Sequence, residues 1–281
     1  MAVVSIAEGE IHYVQSGHGE PLLLIPGLGL DHGYYRLAIP FLERRLAVTA
    51  VDPRGIGRSS KGPGPYSVES WADDFAALID AFGQGPMHVL GSSLGGAMAL
   101  ALAVKNPGAV KSLIVVGGFS QLDRAARLNF SLRARLIEKL GLNEDVADYM
   151  GLWTMTREFI NSDTGYAQMR ANQEIIRNNC SELYLEFVRS VLAWDRALPG
   201  QEGEPKFTSE LKAIRAPTLV VSSDNDQLIP LESSRIIARE IVGARLAVMS
   251  GAGHIPFIER PEQAAQIAID FIASLSAKRQ A

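Results

Sequence analysis

Residues 87–95 read Met87-His88-Val89-Leu90-Gly91-Ser92-Ser93-Leu94-Gly95. An apolar run leads into G-x-S-x-G, and the small and apolar residues that follow have helical spacing. In that strand–turn–helix setting the pentapeptide predicts a tight, strained turn that lifts a serine hydroxyl above the carboxyl edge of a sheet. Glycines flank the turn because side chains there would collide with the crossing backbone. Only Ser93 fits the centre, since centring on Ser92 would need glycine at Leu90 and Leu94. Ser92 is then a neighbour, structural or pocket-lining.

Outward from this turn, short apolar runs alternate with helical patterns. Residues 22–25, stopped by Pro26-Gly27, and 47–51, stopped by Asp52-Pro53, read as buried parallel strands. Residues 10–15 alternate polar and apolar, the mark of a strand with one wet face. Further strands are predicted at 113–116, 218–221 and 244–249. Helices are predicted at 34–46, 68–82, 94–105, 233–241 and 261–275. The second of these sets Trp71, Phe75, Leu78, Ile79 and Phe82 on one face. Strands alternating with helices specify an α/β fold, a mostly parallel sheet covered on both faces.

Between Phe119 and about 210 the strand-like runs disappear. Helical segments at 122–140, 143–150, 166–178 and 182–194 take over, followed by an exposed connector at 198–205. The expected organisation is a core of residues 1–118 and 211–281, with 119–210 inserted as a helical cap ahead of the strand at 218–222. Trp153, Met155, Phe159, Met169, Phe187 and Trp194 in this stretch are expected mainly to pack. The cap should cover the carboxyl edge of the sheet, where open α/β sheets bind ligands, and Trp153 should influence selectivity.

A serine hydroxyl needs a base to take its proton. Of five histidines, His12 lies in an alternating strand, His18 in a Gly-flanked turn, and His88 in the strand before the elbow. His32 follows an early strand and could line a pocket. His254 sits in Gly251-Ala252-Gly253-His254-Ile255-Pro256, after the last strand and at the edge where Ser93 belongs, and is the expected base. A carboxylate must orient its imidazole. The loop after 218–221 offers both Asp224 and Asp226, whereas Gly117-Gly118-Phe119-Ser120 after 113–116 offers none. The chain order is serine, acid, histidine.

With these residues in place, the chain resembles the α/β-hydrolase-fold serine hydrolases over nearly all of its length outside the insertion. The resemblance implies an eight-stranded sheet. Its pattern "PTLVV-x-x-x-x-D-x-x-x-P" matches residues 217–230 and selects Asp226 over Asp224. Its ending "GHxPxxExP" matches 253–261, and its "D-x-RG-x-G-x-S" turn matches 52–59, with Asp52 and Arg54 as structural anchors. The Leu94 N–H, free at a helix start, and the Leu28 N–H are the implied oxyanion donors. Relatives usually carry His-Gly where this chain has Pro26-Gly27, which changes the lining and leaves the Leu28 donor intact. The stretch Leu28-Gly29-Leu30-Asp31 is similar to the L-G-x-D of 3-oxoadipate enol-lactonases. The implied reaction is hydrolysis of a carboxylic ester or lactone through an acyl-enzyme. Ser92, His32, Phe119, Trp153 and Ile255 are the expected pocket residues. Relatives that hydrolyse carbon–carbon bonds of vinylogous diketones typically place Asn before the serine and Trp after the histidine, where this chain has Ser92 and Ile255. Carbon–carbon hydrolysis is therefore a second expectation. A non-hydrolytic lyase or a ligand receptor on the same fold comes after it.

Composition excludes other classes. At 281 residues the chain can bury a sizeable core, and with 47% hydrophobic and 21% charged residues it is neither disordered nor fibrous. Acids outnumber bases 31 to 27, so a phosphate-binding surface for nucleic acid is not expected. A single cysteine, Cys180, allows no intrachain disulfide and no Cys-rich zinc site. No apolar run reaches the roughly 18 residues of a membrane span, and the N-terminus lacks a basic start followed by an apolar run. The expectation is a cytoplasmic protein, monomer or homodimer, that needs no metal or cofactor and takes a small substrate and water.

Overall fold

The computed structural model describes residues 2–62, 64–194 and 207–280. Eight strands form one sheet: β1 (Ala2–Ile6), β2 (Gly9–Ser16), β3 (Glu20–Ile25), β4 (Leu46–Val51), β5 (Met87–Ser92), β6 (Val110–Val116), β7 (Thr218–Ser223) and β8 (Arg245–Met249). Their order is β1-β2-β4-β3-β5-β6-β7-β8. Only the β1–β2 and β2–β4 pairs run antiparallel. Leu22 to Ile25, Val89, Leu90 and Leu113 to Val115 are fully buried, as two-sided coverage of a parallel sheet requires.

The helices are α1 (Ile39–Leu42), α2 (Val68–Phe82), α3 (Leu94–Lys105), α4 (Arg124–Leu140), α5 (Glu144–Thr154), α6 (Arg157–Ile160), α7 (Asp163–Arg177), α8 (Ser181–Trp194), α9 (Leu231–Glu240), α10 (Pro256–Glu259) and α11 (Pro261–Gln280). Helix α3 is buried from Leu94 through Ala103, because α2 and strands β5 and β6 pack around it and its run of Gly and Ala permits close approach. Ser67 and Ser70 cap α2 reciprocally, and Gly83 ends it at φ 63°. Helices α4 to α8 all lie between β6 and β7, in the place the sequence assigns to the insertion. The connector predicted at 198–205 lies outside the described residues.

Three local features depart from expectation. Residues 34–46 do not form one helix: a 3-10 turn spans His32–Tyr35, α1 covers four residues, and Leu46 opens β4. Pro40 sits in the first turn of α1; lacking an N–H, it cannot bond back into the preceding turn and starts a new helix instead. The edge strand β1 is an addition to the predicted strands, although Ala2–Ile6 alternates half-buried and exposed positions. Helix α5 runs on to Thr154, past the expected end at 150, and the short α6 follows it.

The topology places the site. Strand β3 pairs with β4 on one side and β5 on the other, so the chain reverses its direction of travel across the sheet here, opening a crevice at the strands' carboxyl ends. Ile25 is in register with Gly91, and Val116 with both Ser92 and Val221. The loops after β3, β5, β6 and β7 therefore leave the sheet side by side.

Candidate active site

Ser93 is the one non-glycine residue with positive φ, 56°, among the described residues. An L-residue there is strained by on the order of 1–3 kcal/mol, and the flanking glycines show what enforces it. A Cβ at Gly91 would lie 2.1 Å from the Gly95 carbonyl oxygen, and one at Gly95 would lie 2.3 Å from that of Ile25. The elbow is thus wedged against the end of β3. The Ser93 N–H donates to the Val116 carbonyl at 2.8 Å, and the Ser93 carbonyl accepts the first α3 bonds, from Gly96 and Ala97.

Three side chains from separate loops meet at this point. His254 Nε2 is 2.7 Å from Ser93 Oγ, and His254 Nδ1 is 2.8 Å from Asp226 Oδ2. Asp226 Oδ1 accepts the Leu228 and Ile229 N–H groups at 2.9 and 2.8 Å. With both carboxylate oxygens facing N–H donors, the Nδ1 proton of the imidazole belongs on the Asp226 side, leaving Nε2 to accept from the serine hydroxyl. All three residues are buried. Asp224 faces away and accepts from Ser250 Oγ and the Gly251 N–H. The histidine loop is fixed by the His254 N–H, which donates to the Thr154 carbonyl at 2.8 Å.

A cavity of about 50 Å³ opens onto Ser93 and His254. Leu28 lines the cavity and Leu94 follows Ser93 in the chain, and neither N–H has a backbone partner among the described residues. Ser92 and Ile255 line the cavity, as do Gly27, Leu30 and Tyr34. Tyr34 Oη is 3.1 Å from Ser92 Oγ, and burial holds its phenol well above the usual tyrosine range. The far side is built from α4, α5, α7 and α8, including Arg133, Met150, Met155, Asn172, Ile176 and Tyr184.

Three expected pocket residues lie elsewhere. Phe119 is fully buried, in aromatic contact with Phe130 and Trp194. Trp153 is half-buried beside the lining residues Thr154 and Met155 without joining them, because one helical step turns its side chain away. His32 is drawn to Asp52, whose Oδ1 accepts both its N–H at 2.9 Å and its Nδ1–H at 2.6 Å. Asp52 Oδ2 accepts from His12 Nδ1 and the Arg58 N–H, each at 2.9 Å. The hydrogen bond to Asp52 raises the His32 pKa. Burial by itself would raise the Asp52 pKa, but the donors from His32 and Arg58 outweigh it and hold that carboxyl below the usual range. Among the described residues His12, His32 and Asp52 are the group whose metal-ligating atoms lie within 4.8 Å of one another. Their mutual hydrogen bonds already occupy those atoms, so the group reads as an anchor of the turn. Arg54 in the same turn pairs with Asp74 at 2.8 Å.

Sequence reasoning does not select Arg133, Asn172, Tyr184 or Tyr34. For Arg133 and Asn172 a signal exists. Each is a polar residue on a buried helical stripe, Arg133 beside Asn129, Phe130, Ala134 and Ile137 on α4 and Asn172 beside Met169, Gln173 and Ile176 on α7.

Comparison with known proteins agrees with this architecture. A family model described as alpha/beta hydrolase fold matches residues 20–261. A protein of Azorhizobium caulinodans named "Putative carbamate hydrolase RutD" is 30% identical over 247 residues, 88% of this chain and 89% of its own. The 2-hydroxymuconate semialdehyde hydrolase of Pseudomonas sp. strain CF600 is 28% identical over 270 residues, 93% of this chain and 90% of its own. Among solved structures, the enol-lactonase from Burkholderia xenovorans LB400 superposes with a TM-score of 0.85 at 22% identity, covering 97% of this chain and 100% of that one. That last likeness is one of fold.

Proposed function

The chain belongs to the α/β-hydrolase fold family, and on that premise we propose that it hydrolyses a carboxylic ester or lactone with Ser93 as nucleophile, His254 as base and Asp226 as its orienting acid. The observation that carries this reading is the 2.7 Å approach of His254 Nε2 to Ser93 Oγ at the floor of a cavity. Ser93 Oγ bonds to the substrate carbonyl carbon while its proton passes to His254 Nε2, and Asp226 stabilises the resulting imidazolium. The carbonyl oxygen, now negative, is held by the Leu28 and Leu94 N–H groups. Collapse of this intermediate breaks the carbon–oxygen bond, and the departing alkoxide takes the proton from His254. Water, deprotonated by the same imidazole, then releases the acid and restores Ser93.

In this reading α4, α5, α7 and α8 of the insertion cap the site, since they supply the cavity wall opposite Ser93. The similarity to a protein named a carbamate hydrolase makes carbamates a second substrate class, attacked at the same carbonyl position by the same three residues. Steady-state rates on a panel of esters, lactones and carbamates, with Ser93→Ala as control, test the proposal. Turnover that vanishes in the variant supports it; turnover that survives overturns it, and the class with the highest kcat/KM separates the two readings.

A further inference from the structure

The cavity that opens onto Ser93 contains a cation with no anionic partner among the described residues. Arg133 lies on the buried stripe of α4 and is 4% exposed. Its guanidinium stacks over the Phe130 ring, 4.9 Å from the centroid, and Nη2 donates to Asn129 Oδ1 at 3.1 Å. Its Nε–H is buried and has no acceptor among the described residues. Among the described residues Arg133 enters no ion pair. The same protein shows how it otherwise buries this side chain: Arg54, 1% exposed, has the Asp74 carboxylate at 2.8 Å and a backbone carbonyl besides. An unpaired guanidinium held out of water is costly unless something that binds there neutralises it.

Position decides what that partner is. Arg133 lines the cavity shared by Ser93 and His254, and the wall between them is largely apolar, from Leu30, Met150, Met155, Ile176 and Leu228. Asn172, also buried, offers the same space a side-chain oxygen with no partner. A molecule that fills this cavity meets an acyl-transfer centre at one end, hydrocarbon along its length and an unneutralised planar cation elsewhere on its wall. A guanidinium suits a carboxylate, whose two oxygens match parallel N–H donors. One unpaired cation balances one negative charge. A phosphate dianion would bring a second into a site that already holds the Asp226 and Glu259 carboxyls beside His254.

We propose that Arg133 is the anion-recognition residue of this site and that the substrate is an ester or lactone bearing a free carboxylate apart from its scissile carbonyl. The inference rests on the acyl-hydrolase reading above and narrows its substrate class.

The test uses 4-nitrophenyl half-esters of C5 to C7 dicarboxylic acids beside their methyl-capped counterparts, which differ only in the distal charge. For at least one chain length the purified enzyme should favour the half-ester by about 10²-fold in kcat/KM, the scale on which a buried hydrogen-bonding site discriminates. Arg133→Gln should bring that ratio to within about threefold of unity, and Arg133→Lys should fall between. The matching free dicarboxylates should inhibit the native enzyme competitively and raise its Tm, a readout that needs neither turnover nor a folded variant. Capped and charged esters hydrolysed equally well, with no dicarboxylate effect on either inhibition or Tm, would overturn the carboxylate assignment and leave the hydrolase reading standing. Dicarboxylate binding without hydrolysis of any ester would instead overturn the hydrolase reading and leave Arg133 as an anion site.

Discussion

The Glu259 carboxylate accepts the Thr156 hydroxyl at 2.8 Å and so ties the loop of His254 to the start of α6, 103 residues earlier in the chain. The other oxygen of the carboxylate accepts the Gly253 N–H at 3.1 Å and the Thr156 N–H at 3.3 Å. One buried acid thus holds both walls of the cleft beside the base.

Replacing it should be felt in stability and catalysis together. Glu259→Ala leaves two buried N–H groups without acceptors, for an expected loss of about 2–4 kcal/mol and a lower kcat through a displaced His254. Denaturant titration and steady-state kinetics measure both, and a double-mutant cycle with Thr156→Val should show coupling of about 1 kcal/mol. Burial raises the Glu259 pKa above that of an ordinary glutamate. A carboxyl with a raised folded pKa binds more protons folded than unfolded, so its contribution to stability declines as pH climbs above its ordinary value of about 4.5. The stability of the native protein relative to Glu259→Gln should therefore be greater at pH 4 than at pH 7; a constant difference would contradict this.

His32 and Asp52 set a parallel case at higher pH, in which the charged form is the one stabilised. The hydrogen bond to Asp52 raises the His32 pKa above its ordinary value of 6.5, so the charged pair stabilises fully below 6.5 and its contribution is lost as pH rises through the raised value. His32→Asn should cost most at about pH 6 and progressively less toward pH 9 in urea titrations. A cost that grows with pH would show the pair is not formed.

Strain at Ser93 gives a reversal of the usual ranking. At ordinary positions glycine is less stable than alanine, but φ at Ser93 is 56°, where only glycine is relaxed. Ser93→Gly should exceed Ser93→Ala in stability by about 1 kcal/mol, or about 2 °C in Tm, with both inactive. Calorimetry that ranks alanine higher would remove the strain argument.

Asp226 and Asp224 separate by partner. Asp226→Asn removes the acceptor that holds the His254 tautomer and should lower kcat by about 10⁴-fold. Asp224→Asn touches only Ser250 and Gly251 and should change kcat by less than about threefold. Equal losses in the two variants would refute the division of roles.

Much of this is readable from the residues because local chemistry and global position agree in the core. Residues 22–25 and 87–92 hold to apolar and small side chains, His88 apart, since both faces of the sheet are covered. The glycines at 91 and 95 announce a backbone crossing, and a Cβ at either would come within 2.3 Å of a carbonyl oxygen. The three side chains that meet at 2.7 and 2.8 Å each stand in a loop at a predicted strand end, although choosing between Asp224 and Asp226 needs the resemblance to a family pattern. The wall opposite Ser93 is harder to read. Which helical residues face the cavity depends on how α4, α5, α7 and α8 pack on one another, and helical period alone cannot tell Trp153, turned away, from Met155, turned in. Asp52 captures His32 through a contact across 20 residues, which no spacing rule encodes. Arg133 is legible only as an exception, a charge on a stripe of Phe130, Ala134 and Ile137.

Covalent labelling reads the assembled Ser93 centre without needing its substrate. A fluorophosphonate mimics the tetrahedral intermediate and reacts with a serine only where a base and oxyanion donors are assembled around it. One adduct per chain is expected, on Ser93 by peptide mapping, with hydrolysis lost in step with labelling and both absent in His254→Ala. Hydrolysis that persists with Ser93 unmodified, or an adduct on Ser92 in its place, would contradict Ser93 as the nucleophile.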